Sequence, residues 1–282
     1  MYSSLTFRKL VNLAILCLSL IHGSTIYAEN IDLPLAPNAV FGSFPGKHGE
    51  VSVLPITVTR GGSPERSGTV IVVHGCNGPN GASYRDWGRY LSQNGFNAIE
   101  VDLFRERGLS NVCADGLEGS LTSRSSVREI ESLAGWVKAQ SWSNGKVGVV
   151  GFSMGGGSVL SAASLGLSEP LRKSSLDAAI AYYPNCRNYS SRGLLVPMQI
   201  HIGKQDDWTP AEPCESLGNF WGKGDPSAAV FIYENAHHGF DQDGLNASFK
   251  CPRGTCTGRY DGNSNNLSRE RAIAFLREML LP

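Results

Sequence analysis

The sequence predicts an α/β domain built as a doubly wound, mostly parallel sheet flanked by helices. Three observations lead there. From about residue 50 onward, apolar β-branched runs alternate with longer segments of helical periodicity. Several of the runs are apolar without interruption, as in strands buried on both faces of a parallel sheet. The alternation continues to the end of the 282 residues with no internal repeat and no low-complexity linker, which reads as one domain.

The elements follow in chain order. Strands are expected at Val51–Val58, Thr69–His74, Ala98–Val101, Val147–Gly151, Ala178–Tyr183, Met198–Ile202 and Ala229–Tyr233. Helices are expected at Ser83–Asn94, Ser125–Gln140 and Gly156–Leu165. In the second of these, Val127, Ile130, Leu133 and Val137 recur at helical spacing. A last helix is expected with Ser268 as its N-cap and an apolar stripe through Ile273, Leu276 and Leu280. Residues 242–266 read as irregular, being rich in Gly, Asn and Ser. Cys251 and Cys256 bracket PRGT within that stretch and look like a small disulfide-stapled loop.

The first 28 residues differ from the rest. Arg8 and Lys9 precede the apolar run LVNLAILCLSLI, and HGSTIYA then leads to Glu29. That order is the signature of a signal peptide, and the apolar run is shorter than the roughly 20 residues a bilayer span needs. The expectation is a signal peptide at 1–28, a single domain at 29–282, and an exported protein, periplasmic or secreted, with no stable membrane anchor after cleavage. Leaving the leader aside, seven cysteines become six: Cys76, Cys113, Cys186, Cys214, Cys251 and Cys256. An even number in an exported chain suggests disulfides. No CxxC spacing is present, which argues against a zinc site.

Twenty-five basic residues balance 25 acidic ones, with no long basic run, so the electrostatic footprint of a nucleic-acid binder is missing. The chemistry-bearing stretch is VGVVGFSMGGGSVL, residues 147–160. Gly151-Phe152-Ser153-Met154-Gly155 follows a β-like run and opens a segment of small residues, the context of a nucleophile held on a sharp strand-to-helix turn. A serine hydroxyl needs a base, and the base needs an orienting acid. Both follow in the chain order Ser, acid, His. GKQDDWTP offers Asp206 or Asp207, and YENAHHGF offers His237 or His238, each just past a predicted strand.

Together, VHGCNGPNG, VDLFRERG, GFSMGGG, AYYPNC, GKQDDWTP and YENAHHGFD resemble the dienelactone hydrolase family of the α/β-hydrolase fold. The resemblance runs from about Thr69 to Phe240. It selects Asp206, with a proline four residues beyond it, and His238, two residues before a phenylalanine. It implies backbone N–H groups of Cys76 and Met154 as an oxyanion hole. It also makes the strands ending near His74 and Val101 neighbours, which implies a Cys76–Cys113 pairing. The same logic implies Cys186–Cys214. The founding family members carry a cysteine nucleophile where this chain has Ser153, and their acidic residue in the first substrate loop is not evident in HGCNGPNG.

The resemblance implies a serine hydrolase of carboxylic esters or lactones, working without metal or organic cofactor on a small-molecule substrate. The rival readings are a prolyl-oligopeptidase-type peptidase and a hydrolase-fold binding protein without turnover. Arg105 and Arg107 sit where a guanidinium can grip a substrate carboxylate, although the plainer reading, a structural ion pair or a solvated loop, is the favoured one. Trp208 and Tyr84 are candidate pocket walls, His201 an interior histidine inside a strand, and Asn188, Asn246 and Asn266 head sequons.

Overall fold

The computed structural model describes residues 27–35, 51–61, 66–113, 124–165, 173–187, 189, 193–251 and 254–282. Residues 1–26 of the predicted leader and the sequon at Asn188 lie outside the described residues. In order, the elements are β1 (Tyr27–Pro34), β2 (Val53–Arg60), β3 (Ser67–Val73), α1 (Ala82–Gln93), β4 (Asn97–Val101) and a 3₁₀ turn at Arg105–Arg107. Then come α2 (Arg124–Lys138), β5 (Ser143–Phe152), α3 (Met154–Ala163), β6 (Ala178–Tyr182) and β7 (Met198–Gly203). The chain closes with α4 (Ala211–Trp221), β8 (Ala228–Tyr233), β9 (Asn246–Cys251), β10 (Gly254–Arg259) and α5 (Gly262–Leu280).

Eight strands form one sheet in the order β1-β2-β4-β3-β5-β6-β7-β8. The pairs from β4 across to β8 are parallel, and β1 and β2 join one edge antiparallel. The fully buried runs explain why: every residue of β3, β6 and β7 is buried, as a sheet covered on both faces requires. Successive positions of β5 show the two covers. Gly148 abuts Leu276 and Leu280 of α5, whereas Gly151, an odd number of residues away, abuts α3 on the other face. Helix α1 shares the α5 layer, because Arg269 of α5 lies over the rings of Trp87 and Tyr90. Helices α2 and α3 pack against each other. All parallel strands therefore point their C-terminal ends at one rim of the sheet, where β3, β5, β7 and β8 deliver the candidate residues.

Four features depart from the expectations. Strand β1, unmarked in the sequence pattern, pairs along its whole length with β2, and a cleavage after Ala28 would fall inside it. Helix α4 was not expected. The final helix begins six residues before Ser268: Asp261 is the N-cap, its carboxylate accepting from Ser264 N–H at 2.8 Å. Ser268 is a buried mid-helix residue whose hydroxyl donates to the Asn265 carbonyl. The stretch expected to be irregular contains the antiparallel hairpin β9–β10, closed by the Cys251–Cys256 disulfide.

Among the described residues, no helix is long and apolar enough to cross a membrane, and no group of three or more His, Cys, Asp or Glu could hold a metal ion.

Candidate active site

Ser153 sits between the end of β5 and the start of α3 with φ 52° and ψ −112°. A non-glycine residue at positive φ costs about 1–3 kcal/mol and persists only where its surroundings enforce it. Here the Ser153 N–H donates to the Tyr182 carbonyl at 3.0 Å, and its own carbonyl accepts from Gly157 N–H at 3.0 Å. The turn is tight because its neighbours lack side chains. A Cβ at Gly155 would lie 2.5 Å from the His74 carbonyl oxygen, and one at Gly151 would run into the Gly155 carbonyl. The glycines of GFSMGG therefore let α3 start directly beneath the loop that follows β3.

His238 Nε2 lies 3.0 Å from Ser153 Oγ, and His238 Nδ1 lies 2.8 Å from Asp206 Oδ2. A carboxylate only accepts, so Nδ1 carries the proton and Nε2 presents a lone pair to the serine hydroxyl. Asp206 and His238 are both buried, and the serine is partly exposed. The carboxylate is held on three further donors. Trp208 and Thr209 N–H give to Oδ1 at 2.9 and 2.7 Å, and the Thr209 hydroxyl stands 2.8 Å from Oδ2. Thr209 Oγ1 is also 3.1 Å from His238 Nδ1 and 3.1 Å from the Tyr183 carbonyl. Thr209 was not singled out in the sequence. Its position three residues after the acid, in DDWTP, was the available signal.

The doublets DD and HH resolve by geometry. Asp207 turns away, its carboxylate accepting from Thr257 N–H of β10 at 2.8 Å. The nitrogen facing Ser153 belongs to His238, and His237 Nδ1 is buried without a hydrogen-bond partner among the described residues. The His238 backbone forms a bridge with Gly258, and its carbonyl accepts from Arg259 N–H at 3.3 Å. The hairpin β9–β10 is thus tied to the loops bearing both the acid and the base.

The serine opens onto a cleft of about 300 Å³. Tyr84, Phe152, Tyr183, Trp208, Leu245 and Phe249 supply its apolar walls, with Asn77, Asn111, Gln242 and Lys250 as polar neighbours. Cys76 lines the cleft next to Ser153, and Met154 is the first residue of α3, where a backbone N–H lacks a helical acceptor by position. Tyr84 and Trp208 do face the cleft.

Arg105 and Arg107 do not, which corrects the expectation that they grip a substrate carboxylate. Arg105 is half exposed and pairs with Asp32 of β1 and with Glu106. Arg107 is buried in an ion pair with Glu129 of α2 and donates to the Leu103 carbonyl at 2.7 Å. Arg107 is thus consumed in a buried pair, and Arg105 faces a separate surface pocket beside Asp32 and Asp102.

Two buried histidines away from the serine are held neutral. Burial pushes His74 down to about 4; its Nδ1–H donates to the Gly75 carbonyl and its Nε2 accepts from Leu103 N–H at 3.1 Å. His201, inside β7, is pushed by burial to about 3 and bonds the Tyr233 hydroxyl and Gln199. Both are structural.

The disulfides join Cys76 to Cys113, Cys186 to Cys214 and Cys251 to Cys256. The first ties the loop after β3 to the loop after β4. The second ties the loop after β6 to α4, just past the Asp206 loop.

The eight-stranded sheet, its helical layers and the serine turn at the rim define a protein of the α/β-hydrolase fold. The sequence pattern of the dienelactone hydrolase family matches residues 57–280, and the chain belongs to that family. It is 26% identical over 161 residues to the carboxymethylenebutenolidase of Pseudomonas putida, an alignment covering 53% of this chain. The chain spans 56% of the length of that curated relative. Among solved structures it is similar to a dienelactone hydrolase-like promiscuous phosphotriesterase from metagenomic libraries (TM-score 0.65, 18% identity, 90% of this chain and 99% of that one). It is also similar to the propionate-bound esterase Est2 of Thermogutta terrifontis (TM-score 0.57, 20% identity, 87% and 98%). At these identities the structures show the fold alone.

Proposed function

We propose that the protein is an exported serine hydrolase that cleaves carboxylic esters or lactones through an acyl-enzyme. One observation carries the reading: Ser153 Oγ, His238 and Asp206 stand in a continuous relay at 3.0 and 2.8 Å on the floor of an apolar cleft. In this account His238 Nε2 takes the hydroxyl proton as Ser153 Oγ bonds to the ester carbonyl carbon, and Asp206 steadies the imidazolium. The N–H groups of Cys76 and Met154 hold the carbonyl oxygen as it becomes negative, an arrangement worth about 3 kcal/mol per donor in comparable sites. His238 then protonates the departing alkoxide. Water, deprotonated by the same nitrogen, releases the acyl group and regenerates Ser153.

Export rests on the leader pattern at 1–28 and on three disulfides, which persist in oxidising compartments. Purified protein assayed on a panel of short-chain, aromatic and lactone esters tests the reaction. The expected result is turnover that falls at least about 1,000-fold in Ser153→Ala. Folded wild-type protein without turnover on any of them would count against the reading.

A further inference from the structure

The walls of the cleft point to a substrate class. Its two tyrosines have their hydroxyls occupied elsewhere: Tyr84 donates to the Val101 carbonyl at 2.6 Å, and Tyr183 donates to Asp241 at 2.7 Å. They therefore show the cleft ring carbon, not a hydrogen-bonding edge. Trp208 lies 4.8 Å from the His238 ring, and Phe249 of β9 lies 6.0 Å from Trp208, centroid to centroid. The Phe249 ring fits there because β10 has no side chain beneath it: a Cβ at Gly258 would collide with that ring. The guanidiniums of Arg105 and Arg107 are spent on Asp32 and Glu129. Among the described lining residues the cations are reduced to Lys250, which is exposed on the hairpin.

We infer that the cleft takes uncharged esters bearing an aromatic group, packed against the ring faces of Trp208 and Phe249, in preference to carboxylate-bearing esters or lactones. This deepens the serine-hydrolase reading and rests on it. The physical ground is twofold. An aromatic group gains ring contacts on burial against the two walls. A carboxylate entering an apolar cleft loses hydration and meets no buried guanidinium among the described lining residues in return. The hairpin, through Phe249, is then the specificity-determining element, while the serine turn is indifferent to what lies beyond the carbonyl.

The test uses two matched ester sets on the full protein, so that either orientation of the substrate is covered. One set is ethyl acetate, benzyl acetate and 4-carboxybenzyl acetate. The other is methyl propionate, methyl phenylacetate and methyl 4-carboxyphenylacetate. In at least one set the neutral aromatic ester is expected to exceed both companions in kcat/KM by about tenfold or more. Phe249→Ala is expected to lower that preference severalfold, mainly through KM, with Phe249→Leu restoring part of it. The inference is overturned if the carboxylate-bearing ester is favoured and Lys250→Gln removes the advantage. It is equally overturned if the aromatic and alkyl esters are turned over alike by wild-type protein. Absence of all turnover by folded protein would instead overturn the hydrolase reading beneath it.

Discussion

The two sides of the cleft are held by different means. On the nucleophile side, Ser153 is fixed by backbone packed on backbone: α3 starts against the His74 carbonyl, and the serine N–H reaches across to β6. A methyl group added at Gly151 or Gly155 would collide with backbone there. On the opposite side, most of the hairpin β9–β10 faces solvent, and it belongs to no larger sheet. It is kept in place by the Cys251–Cys256 disulfide, the His238–Gly258 bridge, the Thr257–Asp207 bond and the bond from Tyr260 N–H to the Leu245 carbonyl. The difference separates two duties. The side that positions the reacting atom is intolerant by construction, and the side that meets the rest of the substrate can be altered without dismantling the sheet.

The largest effect is expected from breaking the intolerant side. Gly155→Ala places a methyl group against backbone that cannot yield, so a destabilisation of about 2 kcal/mol or more is expected, or failure to accumulate as soluble protein. Thermal unfolding measures it; an unchanged melting temperature would show that the turn has slack. The matching break on the other side is Cys251→Ser with Cys256→Ser. Opening so short a loop costs on the order of 2 kcal/mol in the chain-entropy account. The cost should fall on the hairpin, raising KM for large esters severalfold while kcat on small ones stays within about twofold, as steady-state kinetics would show.

Thr209 tests where the two sides meet, because its hydroxyl touches both Asp206 and His238. Thr209→Val keeps the shape and removes the hydroxyl. A loss of about tenfold in kcat with little change in KM is expected, with Thr209→Ser recovering most of it. Equal losses in Val and Ser variants would mean that packing, not the hydroxyl, is what matters.

Per pH unit, the smallest effect is a pH dependence of stability in the sheet. His74 and His201 are pushed to about 4 and about 3, so between the ordinary histidine value and about 4 the unfolded chain takes up protons that the folded one refuses. Their stabilisation is full at neutral pH and is lost as pH falls through that window. Glu100 acts oppositely: burial raises its carboxyl to about 7, so the folded chain keeps a proton there that the unfolded one releases. Stability should therefore fall on acidification from pH 6.5 to 4.5 with a net slope of about one proton, roughly 1 kcal/mol per pH unit. Glu100→Gln should steepen the slope; denaturant titrations at a series of pH values read both.

How much of this was legible in the sequence follows the same division. The central strands announced themselves because burial on both faces demands continuous apolar runs, β2 and β8 through their β-branched residues, and GFSMGG announced the turn because close backbone approach demands glycine. Of the hairpin only the Cys251–Cys256 staple was legible: NASFKC and GTCTGR carry little apolar character, and their pairing is imposed by that disulfide and by contacts to the Asp207 and His238 loops. Strand β1 was missed for a related reason, since its residues are half polar and its partner lies beyond a long connection. For Arg105 and Arg107 the plainer ion-pair reading was legible but the partners were not, since Asp32 on β1 and Glu129 on α2 are remote in the chain. Helix α5 was started too late because Ser268 fits the pattern of a cap, while Asp261, which does the capping, follows a hairpin that was not recognised. Within DD and HH the family resemblance selects Asp206 and His238, and those are the two side chains in hydrogen-bond contact with each other.

Every role proposed for the cleft depends on Ser153 being a nucleophile activated by His238. Treating the folded protein with a fluorophosphonate and locating the adduct by peptide mass spectrometry tests it most directly. One stoichiometric adduct is expected, on Ser153, formed quickly at neutral pH, slowed sharply in His238→Ala and absent in Ser153→Ala. An unmodified Ser153 in folded protein, or a label that persists in Ser153→Ala, would contradict it.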